Sequence, residues 1–600
     1  MGAGHCRGPD GIAIRSIGQT ALGHCMLRTT EEALEEVQPL ANEDAAILLV
    51  MDGYLTNWEE LRLKLKERGV RLRTRSDAEL VLRCYEEWGE DCPKHIDGEY
   101  AFLIWDERRQ AAFCARDHQG LRPFYYHWHN GRLVVASDIA AIISVLPERP
   151  KLNVGFLAEM MAEEWYSLAE TVWIGIERLE PAHSMRVTRD GPQRSAYWTL
   201  PLDVRIRYPR EEDYVEHYRE LLVDCVRRTS RSHRPLAFEV SGGLDSSSLF
   251  CVADRLQSDG KLLAPDIRGY TLKGPNGSAA DEIQFARAVG THVGREIDEV
   301  PLFMPGLTWF EQQARRDWDV PGYPNGTMSV GLEQRALAAG CRAIVNGIGG
   351  DQWLNGNTMY YQEAITERNF FRILQFMRED VPLYGLKETG EILFKSLLNS
   401  VLGEPLKKKI RAMRRKDGVS AFWLSADAQK TLIERRGVYL DYLRTSGLGA
   451  YKMGKLLSPF TLVALDLMAR QRSRNALEGR SPMLMRSFIE FSATTPEWLR
   501  LQRGEPKAIH RRAMRGLLPD VVCDRQSKAE FSATWGSLRL ELADSLSEII
   551  NEGLPLGLDP GGLRDLRGFY DCENEDLSYI WQTFAIWCGN TLLRNSKVLK

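Results

Sequence analysis

The residues best suited by type and spacing to do chemistry stand between Arg234 and Leu256, in "RPLAFEVSGGLDSSSLFCVADRL". An apolar segment runs into Gly242 and Gly243, Asp245 follows, and Ser246, Ser247 and Ser248 open a helical pattern. Paired glycines let a backbone approach a ligand without Cβ clashes. Serine hydroxyls and free N–H groups at a helix N-terminus favour an anion, so the turn is suited to phosphate. The chain has no G-x-x-x-x-G-K-[ST], so this is not a loop that delivers a γ-phosphate with a lysine. Asp245 instead suggests a carboxylate facing Mg²⁺ bound to phosphate.

Such a turn needs a sheet behind it. "LAFEV", "RGYTLKG" and "CRAIVNG" read as strands, alternating with helical patterns in "DEIQFARAVGTHVG" and "MSVGLEQRALAAG". That alternation predicts a parallel α/β sheet. Residues 40–200 are strand-rich instead, with "AAILLVMDGYL", "GEYAFLIWDERRQAAFCARD" and "GRLVVASD", and one amphipathic helix in "NWEELRLKLKERG". "YWTLPLDVRIRYP" loses periodicity, which places a domain boundary near residue 205. Beyond residue 360 the pattern is mostly helical and includes the basic run "KKKIRAMRRK", read as a solvated helix face or as a docking patch for an acidic partner.

Composition bounds the function classes. Six hundred residues exceed a single core, so two domains are expected. A net charge of -4 argues against a general nucleic-acid binder. Eleven cysteines without a C-x-x-C pair suit a reducing compartment. No segment approaches a membrane span and no signal-peptide core is present, so a cytoplasmic location is expected.

"SGGLDSS" resembles the pyrophosphate loop of the ATP pyrophosphatases, and the chain resembles the asparagine synthetase B type over nearly its whole length. The resemblance implies a degenerate N-terminal-nucleophile glutaminase-like αββα sandwich over 1–205. It also implies a parallel α/β adenylating domain with a helical extension over 206–600. ATP and Mg²⁺ are the implied cofactors. The implied ATP and pyrophosphate set is Val240, Ser241, Gly242, Gly243, Leu244, Asp245, Ser246 and Ser247, joined by Leu272. The family's second loop stands as "NGIGGDQWLNG", adding Gly347, Ile348, Gly349 and Gly350, with Asp351 as a second magnesium carboxylate beside Asp245. "LEGRSPML" looks like the family's Glu-x-Arg-x-Pro segment and gives Glu478. "EPKAIHRRAMRGLLPDVVCDRQSKAEFS" gives Lys507 and Lys528, and a lysine near the α-phosphate would stabilise the adenylation transition state. Glu478 and Asp466 are the candidate bases. Asp281 and Glu282 read as a helix N-terminal cap. Arg470, Arg472 and Arg474 read as helix-to-helix ion pairs or as phosphate contacts.

The front half matches the family's glutaminase domain in "RGPDG", "MDGYLTN", "RSDAELV" and "VVASDIAAI", yet departs where chemistry is done. Position 2, where the family has its cysteine nucleophile, is Gly2. Met26 replaces a pocket arginine, and Asp52-Gly53 replaces the Asn-Gly oxyanion pair; Asp77 is kept. Glutamine is therefore not the expected nitrogen source. Ile348 stands where asparagine synthetases place a glutamate beside ammonia, and an apolar side chain cannot orient ammonium. The departures favour relatives that close an amide within one substrate, and the lasso peptide cyclases resemble this chain more closely than the β-lactam synthetases. That resemblance implies a precursor peptide as substrate, adenylated on Asp or Glu, with a leader peptidase and a leader-binding protein as partners. An ammonia-dependent synthetase, another intramolecular ligase and an inactive scaffold are the alternatives.

Overall fold

The computed structural model describes residues 6–275, 277–278, 280–401, 421–443, 447–526, 531, 535–552, 557–571 and 578–597. Its first half holds strands β1 (Ile12–Ile17), β2 (Thr20–Cys25), β3 (Leu40–Ala41), β4 (Ile47–Leu55), β5 (Gly98–Asp106), β6 (Ala111–Arg116), β7 (Tyr125–His129), β8 (Arg132–Ala136), β9 (Ile176–Arg178), β10 (His183–Thr188) and β11 (Gly191–Ala196). A six-stranded sheet runs β11-β10-β6-β5-β4-β3, and a three-stranded one runs β8-β7-β9. Strand β5 shows why they stack. Successive side chains point to opposite faces. Tyr100, Phe102 and Ile104 pack with the helices Trp58–Glu67 and Asp77–Trp88. Ala101 and Leu103 pack with Tyr126 and Leu179 from the region of the second sheet. A strand buried on both faces must read as a nearly continuous apolar run, and "YAFLIW" does.

Residues 197–210 carry neither strand nor helix. The second half builds the parallel sheet β14-β13-β12-β15-β16 from β12 (Leu236–Glu239), β13 (Ile267–Lys273), β14 (Ile297–Pro301), β15 (Ala343–Val345) and β16 (Glu478–Arg480). Residues of the helices Glu211–Thr229, Leu244–Ser258 and Ile283–Val293 cover one face. Leu332 and Ala336 of the helix Val330–Ala338 pack with Ala237, Tyr270, Val300 and Ile344 on the other. The two edge strands lack a sequence signature. Strand β14 reads "IDEVP", half polar, and β16 is the three-residue "EGR". An edge strand needs less apolar surface, so its pattern is weaker.

The long helix Phe370–Val401 breaks at Gly385, where φ is 82° and ψ 161°. The basic run 407–416 lies outside the described residues.

Buried arginines join the halves. Arg116 Nη2 and Arg178 Nε, both from the front half, reach Asp466 at 2.6 Å and 2.7 Å, and Tyr125 donates to the same carboxylate at 3.1 Å. Glu478 accepts from Arg480 Nε at 2.9 Å and from Thr29 Oγ1 at 3.1 Å, and Arg122 lies 3.3 Å away. Both carboxylates are buried and fully engaged across the seam. This corrects the expectation that Asp466 and Glu478 supply a base. Arginine pairing keeps Glu478 below the usual carboxylate range despite its burial. The contacts of both side chains are with seam residues, away from the glycine loops.

Candidate active site

The pyrophosphate-type loop leaves the C-terminal end of β12 and turns at Gly242, whose φ is 71°. A Cβ there would stand 2.5 Å from Phe285 Cβ, so the turn requires glycine on both counts. Ser246 Oγ accepts from Ser241 N at 3.1 Å and pairs with Ser241 Oγ at 2.8 Å. Gly243 N donates to Ser241 Oγ at 3.2 Å, which closes the loop onto the start of the helix Leu244–Ser258. No side chain caps that helix. Its first N–H groups and its dipole therefore remain available to an anion. Ser247 Oγ is buried and makes no hydrogen bond among the described residues. Val240 N, one residue past β12, donates to Tyr270 O at 2.7 Å, and Leu272 lies on the paired strand β13.

The second loop leaves β15 and lies against the first. A Cβ on Gly350 would be 2.3 Å from Asp245 Cγ, and one on Gly347 would be 2.9 Å from Ser246 N. Gly349 has φ 101° and passes close to Met483 O. Three glycines thus allow two loops to touch. Ile348 N is fixed by Asn346 Oδ1 at 3.0 Å, and the Ile348 side chain packs against the main apolar core.

The loops bring Asp245 and Asp351 together on one cation. Lys507 Nζ bonds Asp245 Oδ2 and stands 2.7 Å from Asp351 Oδ1. Lys507 is a non-glycine residue at φ 58°, just ahead of the helix Ala508–Met514. Strain of this kind persists where surrounding structure fixes it and gathers at functional sites. A positive group bridging two carboxylates marks where a divalent cation would be held, and paired carboxylates with substrate phosphates are the usual magnesium ligands. Lys528, the other candidate lysine, lies outside the described residues.

Two contributors had no clear signal in the sequence. His510, one turn after Lys507, is fully buried; Tyr218 OH lies 2.8 Å from Nδ1, and Ser248 Oγ lies 3.2 Å from Nε2. Ser248 already donates to Asp245 O at 2.7 Å. Nε2–H must therefore be the donor to Ser248, and Nδ1 the acceptor from Tyr218. Burial, and then the charge of Lys507, push His510 down to about 3, so it is neutral at any working pH. Arg525 donates to Gly242 O at 3.1 Å, stacks 4.1 Å over the Phe285 ring, and pairs with Glu282. Glu282 stands at the N-cap position of the helix Ile283–Val293, as expected, but its side chain makes no capping hydrogen bond and instead anchors Arg525. Asp281 accepts from Gly277 N at 3.1 Å.

The front pocket is built differently. Asp77 accepts from Leu55 N at 2.9 Å and is ion-paired with Arg231 from the second half. Asp52 lies 3.8 Å from Arg7, whose Nε bonds Asp138 at 2.6 Å. A Cβ on Gly53 would strike Glu99 O at 2.0 Å, so only glycine fits beside Asp52.

A parallel sheet whose central strand ends carry touching glycine loops, facing carboxylates and a lysine defines a nucleotide-processing α/β protein, here mounted behind an antiparallel sandwich. A family model for asparagine synthase matches residues 217–577, and one for a glutamine amidotransferase domain matches residues 3–198. Asparagine synthetase 3 of Bacillus subtilis, a glutamine-hydrolysing type, is 30% identical over 536 residues, 87% of this chain and 81% of that protein. The chain belongs to the asparagine synthase family. Amidase chry2 of Gibberella zeae is 28% identical over 380 residues, 60% of this chain; the chain spans 55% of that protein's length. Among solved structures, a glutamine phosphoribosylpyrophosphate amidotransferase from B. subtilis aligns with a TM-score of 0.22 and 15% identity, covering 54% of this chain and 66% of that one.

Proposed function

We propose that this protein adenylates a carboxyl group of a peptide and lets an amine of the same peptide displace AMP, a lasso-type macrolactam closure. An Asp or Glu side chain attacks the α-phosphorus of ATP, the α–β bond breaks, and pyrophosphate leaves. The N-terminal amine then attacks the acyl carbon; AMP departs, a proton is lost, and one isopeptide bond has formed. Asp245 and Asp351 would hold Mg²⁺, which supplies charge neutralisation for the departing pyrophosphate. The uncapped helix N-terminus at Leu244 receives the pyrophosphate oxygens. Lys507 places a positive charge where negative charge develops.

One contrast carries the reading. Two glycine loops meet at paired carboxylates and a lysine, while in the front half Asp77 is tied to Arg231, and an apolar Ile348 stands within the second loop. A nucleophile that comes with the substrate needs neither glutamine nor a bound ammonium, and holding both peptide ends together makes the coupling effectively unimolecular. A leader peptidase and a leader-binding protein are the partners that would expose the amine.

The purified chain with ATP, Mg²⁺ and a leader-free precursor peptide should give a product lighter by one water, with one AMP per ring. The likeness over 87% of the chain to asparagine synthetase 3, a glutamine-hydrolysing type, favours a second reading, amide formation on aspartate rather than within a peptide. Asparagine formed from aspartate and ammonium at a substantial rate, with no peptide product, would overturn the cyclase.

A further inference from the structure

A cavity of about 280 Å³ opens between the helices Leu307–Asp317, Val330–Ala338 and Pro459–Arg474, apart from the loops described above. One wall-forming helix, Pro459–Arg474, also reaches the sheet that carries the glycine loops. Arg472, on the wall-forming helix, bonds Glu239 Oε1 at 2.8 Å, and Glu239 ends β12 two residues before Ser241. The cavity also borders the front half, because Arg474 Nη1 lies 3.6 Å from Cys6 Sγ.

The lining has a distinct chemistry. Phe303, Trp309 and Leu467 supply apolar walls, and Gln334, Gln471 and Asn475 supply primary amides. Gln471 and Asn475 donate their amide nitrogens to the buried Glu333 at 3.0 Å and 2.7 Å. Their carbonyl oxygens are left as the acceptors. Arg316, Arg470 and Arg474 also line the space. All three converge on Asp317, with Nε of Arg316 at 2.9 Å and Nε of Arg470 at 3.2 Å, and Asp319 pairs with Arg470 at 2.6 Å. Three guanidinium groups, that of Arg316 half-exposed, therefore share two buried carboxylates, and Arg474 Nε is buried without a hydrogen-bond partner among the described residues. A cationic wall with an unmet N–H is suited to an anion. Amide oxygens and aromatic walls disfavour inorganic phosphate and complement a carboxylate that carries a neighbouring N–H and an apolar side chain.

We infer that this cavity is a peptide subsite, taking a segment with a free carboxylate and an aromatic or large aliphatic side chain beside the adenylating crevice. The inference rests on the peptide-ligase reading and assigns the place where part of that peptide is gripped. The volume suits one or two residues, and the site would hold the substrate while the carboxyl to be activated lies over the glycine loops.

The test uses the full chain without nucleotide and two probes, N-acetyl-L-phenylalanine and its carboxamide, followed by ligand-observed NMR. The acid should bind at least about tenfold more tightly than the amide. Arg474→Gln should remove that preference, and Trp309→Ala should weaken both probes. Gln334 is exposed at the mouth, so Gln334→Leu keeps the test open if the arginine variant fails to fold; it should weaken the acid while leaving the melting temperature unchanged. Equal binding of acid and amide, inorganic phosphate competing as well as the acid, or no binding up to about 10 mM would overturn the subsite. ATP–pyrophosphate exchange separates the two ideas. Exchange supported by a precursor peptide without probe binding removes only this cavity, and probe binding without exchange on any peptide removes the ligase reading.

Discussion

Lys507 holds a left-handed backbone conformation so that its ammonium can meet Asp245 and Asp351, two carboxylates carried by different loops. Lys507→Ala should reduce ATP–pyrophosphate exchange at least about a hundredfold while the circular dichroism spectrum stays native. An unchanged exchange rate would remove Lys507 from the site. His510 gives a second prediction at this scale. Its pKa falls from 6.5 in the unfolded chain to about 3 in the fold. The fold prefers the neutral ring, so this contribution is complete above the unfolded value and is lost as pH falls toward 3. Relative to His510→Gln, the wild-type protein should lose about 1.4 kcal/mol per pH unit between roughly pH 6 and 4, read by urea unfolding. A gap that does not change with pH would show that His510 is not held neutral.

Elements decide whether those residues can meet. The two loops touch because Gly347 and Gly350 present no side chain, and a Cβ on Gly350 would stand 2.3 Å from Asp245 Cγ. Gly350→Ala must push Asp245 aside. Exchange should drop at least about tenfold, with global stability changing by less than about 2 kcal/mol because the displacement is local. A variant with normal exchange would mean that the loops separate in the working enzyme. The order of elements was readable in part. "LAFEV", "RGYTLKG" and "CRAIV" announce β12, β13 and β15 by their apolar runs, and their helices follow at the expected places. Strands β14 and β16 could not be read, since edge positions leave "IDEVP" and "EGR" free of a buried-strand pattern. Glu282 was legible only in part, for a related reason. Acidic residues at a helix start are common caps, and only the packed chain shows Arg525 arriving 243 positions later.

At the scale of the whole molecule, buried charge pairs join the two halves. Asp466 gathers Arg116, Arg178 and Tyr125, and Asp77 gathers Arg231, each pairing across the seam. Asp466→Asn would leave two buried guanidinium groups under-compensated, and breaking such a set costs about 3–5 kcal/mol. Exchange measured well below the melting temperature should persist, because no loop residue is touched; its specific loss without loss of stability would restore Asp466 as a catalytic group. Glutamine should not replace the substrate amine, and release of glutamate from glutamine by the purified chain would show a working front pocket.

The sequence by itself determined a turn suited to phosphate. Glycines, Asp245 and serines at a strand-to-helix junction act through local backbone geometry, which a linear pattern records. Met26 and Asp52 in the front domain, and Ile348 in the second glycine loop, are departures of residue type that the sequence likewise shows by itself. Only the tertiary structure decided which carboxylates face the crevice and which lock the halves together. Asp466, Glu478, Asp245 and Asp351 are the same functional group in a sequence. Their roles diverge because arginines and a lysine reach them from segments hundreds of residues away, and a long-range charge partner leaves no periodicity along the chain.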